Sequence, residues 1–85
     1  MKVEELRRKV QEMRINPRFY SILETKAMEG LVLERQGNDW EVHELDERGG
    51  IHNKHIFETE NAACLHFLHE MEKRKEMFGS SYLIH

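Results

Sequence analysis

Six histidines and one cysteine among 85 residues are the first groups to weigh for chemistry. His66 and His69 lie three apart in a stretch with helical pattern, so they can share a helix face. His52 and His55 are also three apart, but in a stretch that reads as a strand, where that spacing sends them to opposite faces. His43 can meet one of them across a sheet. No HExxH spacing occurs, and Cys64 has no CxxC partner. A closed zinc site needs about four convergent ligands, and the spacing pairs two. The expectation is therefore no metal and no cofactor, with the histidines on the surface.

Cys64 sits between Ala63 and Phe67 on an apolar stripe, where a cysteine behaves as a small apolar residue. Its place near a helix start favours the thiolate, but burial is the stronger expectation. No Ser/His/Asp arrangement is readable, and no Gly-rich loop precedes a helix. Gly49-Gly50 falls in a turn between strands, which argues against a phosphate cradle. With no catalytic residue to name, the chain reads as a non-enzyme.

The charges are uneven. The net charge is −3, yet Glu34, Asp39, Glu41, Glu44, Asp46 and Glu47 stand against only Arg35 and Arg48 between residues 31 and 50. A local field of that sign steers basic partners; its bland reading is a solvated acidic surface. Arg7, Arg8, Lys9 and Arg14 are basic, but acidic residues are interleaved with them and the chain is net negative, so nucleic acid is not an expected partner.

The elements that must position these groups follow from periodicity. The 39% hydrophobic and 34% charged residues fit one small domain, 1–85, with modest stability. No run approaches the ~18 apolar residues of a membrane span, and MKVEELRRKV has no apolar signal-peptide core. A lone cysteine fits a reducing compartment. A cytoplasmic protein without membrane contact is expected.

Val3, Leu6, Val10 and Met13 predict a helix near 3–14, stopped by Asn16-Pro17. The same pair can cap and start a short helical turn through Phe19, Tyr20, Ile22 and Leu23, followed by a loop over Thr25–Gly30. Leu31–Gln36 and Trp40–Leu45 read as strands joined by a two-residue loop, which keeps Leu31 and Leu33 on one face with Trp40 and Val42. Ile51–Glu58 reads as a third strand. Thr59 caps a helix over about 60–78, whose stripe is Ala63, Cys64, Phe67, Leu68, Met71 and Phe78. Tyr82-Leu-Ile84 is an apolar tail, docked or loose. The fold class is α+β, a three-stranded antiparallel meander in the order α, short α, β, β, β, α, with both helices on one face. The other face is expected to be open to solvent.

On that open face Val32, Glu34, Glu41, His43 and Leu45 come together, an apolar strip edged by carboxylates. Such a surface suits a basic protein partner. A covering helix or a homodimer is the plainer account.

The segments Asn16-Pro-Arg-Phe-Tyr-Ser-Ile22, Gly30-Leu-Val-Leu-Glu34, Trp40-Glu-Val42 and Phe57-Glu-Thr-Glu60 leading into Ala63-Cys64 resemble small bacterial immunity proteins. These are encoded beside polymorphic or contact-dependent toxins and neutralise them. The resemblance covers roughly residues 16–68. It implies a cytoplasmic antitoxin that binds a toxin domain, often a nuclease, and has no catalytic residues. The acidic stretch agrees with it, because proteins that bind phosphates tend to be basic. The expected partner-binding residues are Glu34, Glu41, His43, Glu44, Asp46 and Glu47, with Trp40 either in the core or an aromatic anchor. The alternatives are a small regulatory or structural domain that self-associates through the open face, and a metal-dependent enzyme using His66 and His69.

Overall fold

A computed structural model of the chain describes residues 1–23 and 29–84. The expected loop over Thr25–Gly30 falls largely outside them. The first helix, α1 (Val3–Glu12), buries Val3, Leu6 and Val10 and carries Glu4 and Glu5 in its first turn, where acidic groups suit the helix dipole. Lys2 offers its N-terminus no side-chain cap. Glu60 supplies one from elsewhere: its Oε2 accepts from Val3 N at 2.8 Å. The helix ends two residues short of the expected 3–14, and Arg14 then adopts φ +59°, the left-handed step common after a helix.

Asn16-Pro17 behaves as its chemistry requires. The Asn16 side chain accepts from Arg18 N at 3.1 Å and Pro17 opens a single 3-10 turn, Pro17–Phe19. The expected helical continuation is a correction. Tyr20–Ile22 is a strand, β1, pairing in parallel with β2 (Gly30–Gln36) in the register Tyr20↔Leu31, Ser21↔Val32, Ile22↔Leu33. Gly30 makes this approach possible: at φ +109°, a Cβ there would lie 1.8 Å from the Phe19 carbonyl oxygen.

The antiparallel meander is as expected. β2 pairs with β3 (Asp39–Leu45), and Gln36↔Asp39 leaves the two-residue loop Gly37-Asn38. β4 (Ile51–Phe57) pairs along the far side of β3. The chain is thus a small α+β domain with a four-stranded mixed sheet in the order β1-β2-β3-β4.

Both helices lie on one face. The second, α2 (Glu60–Phe78), begins where Thr59 accepts from Ala62 N at 3.1 Å. Its Ala63, Cys64, Phe67 and Met71 are fully buried against Leu31, Leu33, Trp40 and Val42 of the sheet and Leu6 and Val10 of α1. Trp40 is a core residue, with the Arg35 guanidinium 4.7 Å from its ring centroid. Two members of the expected stripe differ. Leu68 is only half-buried at the core's margin, and Phe78 is exposed, stacked on Tyr82 with centroids 5.3 Å apart. Met71 is the last fully buried position of the helix, and Phe78 lies about two turns beyond it.

The tail is docked. Gly79–Tyr82 forms a 3-10 turn. Tyr82 is buried against Phe19 with centroids 4.6 Å apart. Asn16 N donates to the Tyr82 carbonyl at 2.9 Å, and Ile84 N to that of Arg14 at 2.7 Å.

Candidate functional site

The face of the sheet away from the helices carries Ser21, Val32, Glu34, Glu41, His43, Leu45, Ile51, Lys54 and Ile56, by strand alternation and register. The expectation that this face is open holds for half of it. Ser21, Val32, Glu41 and His43 are buried, whereas Ile51 and Ile56 on the free-edge strand β4 are each 53% exposed. Glu34 and Leu45 are intermediate.

Three expected partner residues converge here. Glu34 and Glu41 stand directly opposite each other across β2 and β3. His43 follows two residues along β3 on the same face, its Nδ1 2.7 Å from Glu41 Oε2. One ligand atom from each of Glu34, Glu41 and His43 lies within 4.8 Å of the other two. Lys54 is a cation close to them, its Nζ 3.8 Å from Glu41 Oε1. Strand alternation puts the three on one face, but histidine and cysteine spacing does not mark them as a ligand set, because two of them are carboxylates. Two expectations for His43 are corrected: it is buried rather than on the surface, and among the described residues it meets no other histidine, because it faces the opposite way from His55.

The other three expected residues go elsewhere. Glu44 points to the helix face, where it pairs with Arg74 of α2 and accepts from Asn53 Nδ2 at 2.9 Å. Asp46 builds the β3–β4 turn, its Oδ1 accepting from Arg48 N at 2.9 Å and Gly50 N at 2.7 Å. Its Oδ2 meets His52 Nε2 at 2.7 Å. These bonds, the His52 contact first, hold the Asp46 carboxyl below its ordinary pKa. Glu47 is exposed at the turn. The six acidic groups therefore do not form one surface. Asp39 and Glu47 are exposed, and Glu34, Glu44 and Asp46 are intermediate.

The reading of His52 and His55 is corrected by a bulge. The β3–β4 register slips between Val42 and Glu44, and Asn53 takes φ +51°. The extra residue reverses strand parity, so His52 opposes Glu44 and His55 opposes Val42, both on the helix side. There His55 meets His66 of α2, ring centroids 4.8 Å apart, at a polar cleft of about 290 Å³ that Glu44, Asn53, Glu70 and Lys73 also line. Burial, and secondarily His55, push the His66 pKa below its ordinary value. His69 is exposed. A second cleft, about 330 Å³, lies between Phe19, Phe78, Tyr82 and Arg74. Among the described residues, Arg74 Nε is buried beside it without a hydrogen-bond partner.

Cys64 is fully buried, and burial raises its thiol to about 11, which opposes a nucleophilic role. Among the described residues no helix is long and apolar enough to cross a membrane. Comparison with protein-family models, with curated proteins and with solved structures finds no match.

Proposed function

We propose that this chain is a non-enzymatic protein-binding module, an immunity protein that neutralises a bacterial toxin domain in the cytoplasm by docking on it through the β4 side of the outer sheet face. The observation that carries the reading is the pair Ile51 and Ile56, each 53% exposed on the free-edge strand. Two large aliphatic side chains held outward by a strand suit the apolar centre of an interface. The bulge at Asn53 and the charge of Lys54 blunt the edge itself, as edge strands are commonly guarded. Docking therefore uses the side-chain face rather than an added strand. Glu34, Asp39 and Glu47 provide acidic groups around it and favour a basic partner. The resemblance to immunity proteins supplies the class of that partner.

The test pairs the purified chain with the toxin domain encoded beside it. Expected are a one-to-one complex and protection of cells that express both. Failure to bind and to protect would overturn the reading. A stable homodimer that buries Ile51 and Ile56 would replace it with self-association.

A further inference from the structure

We propose that Glu34, Glu41 and His43 bind one divalent transition-metal ion such as zinc. The three side chains project from adjacent positions of a paired strand ladder, so the backbone register fixes their spacing. Their ligand atoms already lie within 4.8 Å of one another. Around a tetrahedral zinc, ligand atoms about 2.0–2.2 Å from the ion stand roughly 3.3–3.6 Å apart. Small rotations of the carboxylates close that gap without moving a strand.

Burial makes the cluster more than a patch of surface acid. Glu41 and His43 are 5% and 3% exposed. Like charges directly opposite in a sheet repel, and this pair has one member in a nearly dry site. The hydrogen bond Glu41 makes is to His43, inside the cluster. Its outside contact is the Lys54 ammonium at 3.8 Å, on a side chain 54% exposed. His43 is engaged through Nδ1, which lies 2.7 Å from Glu41 Oε2. A buried imidazole with two carboxylates beside it is a nitrogen–oxygen donor set. Such a set favours zinc and its first-row neighbours over calcium, which takes six to eight oxygens. Glu34 is half-buried, leaving one side of the site open for an ion to enter with water.

The test uses the tag-free chain, cleared of metal by a chelator and titrated with Zn²⁺, and with Co²⁺ for its absorption spectrum. Expected are one equivalent bound, a rise in melting temperature with zinc, and calcium binding weaker by at least about 100-fold. Glu34→Gln should weaken zinc binding by at least about tenfold while far-UV circular dichroism is unchanged, since this side chain is the least buried of the three. Glu41→Gln should do the same or more. His66→Gln and His69→Gln should leave the affinity as it was. No zinc binding by the wild-type chain would overturn the proposal. So would unchanged affinity in Glu34→Gln, equal affinity for calcium, or loss of the site in the His66 or His69 variants.

Discussion

Arg74 of α2 reaches Glu44 of β3, thirty residues away in sequence, and ties the C-terminal half of the long helix to the sheet. The two side chains are 16% and 34% exposed, and Glu44 is further held by Asn53. The pair lies between an exposed ion pair, worth about 0–1 kcal/mol, and a buried one, whose breaking costs about 3–5 kcal/mol. Arg74→Met should therefore cost roughly 1–3 kcal/mol in urea denaturation, because it leaves Glu44 part-buried without its cation. Adding Glu44→Gln should recover part of the loss. Additive effects in this double-mutant cycle would show that the two groups do not couple.

Phe67 and Phe78 are eleven positions apart on the same helix and differ entirely in surroundings. Phe67 is fully buried at the centre of the core, whereas Phe78 is 49% exposed. Phe67→Ala should cost roughly 3–5 kcal/mol, and Phe78→Ala well under half of that. Similar losses at both positions would contradict the placement of the core under the first half of α2.

The limits of α2 were readable because both are set by local chemistry: Thr59 caps the start, and Gly79 ends it at φ +60°. The β2–β3 hairpin was readable for the same reason, since a two-residue loop is what matches the apolar faces of its strands. β1 was not. Tyr20 and Ile22 fit a strand, but Phe19, Tyr20, Ile22 and Leu23 also fit a helical turn, and the choice is made by pairing with Leu31–Leu33, beyond any local window. The bulge at Asn53 escaped likewise, and with it the face on which His52 and His55 lie. At the site, alternation alone placed Glu34, Glu41 and His43 together. It gave no warning that Glu44 has a partner on α2 or that Asp46 is consumed by its own turn.

His66 gives the fold a pH dependence of definite sign. Its pKa is lowered in the folded chain by burial, and then by His55 across the cleft and by His69 and Lys73 on its own helix, with Glu70 opposing. The unfolded chain, with an ordinary imidazole near pKa 6.5, then binds the proton more readily. The contribution is fully present above about pH 6.5 and is lost as pH falls through that value toward the folded pKa. His66→Gln should flatten the slope of stability between about pH 7.5 and 5, measured as urea midpoints. Asp46 acts in a separate window: its lowered pKa stabilises above about pH 4 and is lost in stronger acid. A slope unchanged by His66→Gln would move the effect to other groups.

The partner surface is separable from the fold by choosing residues that the core does not use. Glu41 and Glu44 are unsuitable, because charge reversal there would break the His43 contact or the Arg74 pair. Ile51 and Ile56 are half exposed, so Ile51→Ser and Ile56→Ser should change stability by less than about 1 kcal/mol. If they form the apolar centre of the interface, the double variant should weaken toxin binding by at least about 30-fold, chiefly through a faster off-rate, as a central contact costs about 2 kcal/mol or more on truncation. Glu47→Lys, at the exposed turn, should instead slow association, and the difference should fade as salt rises, because steering is screened over about 8–10 Å at physiological ionic strength. Glu72→Lys and Glu76→Lys, exposed on α2 on the far side of the molecule, should leave both rates nearly unchanged. Surface plasmon resonance at two salt concentrations reads all of these together. Wild-type binding by the isoleucine variants, with loss in the α2 variants, would move the interface from the sheet to the long helix.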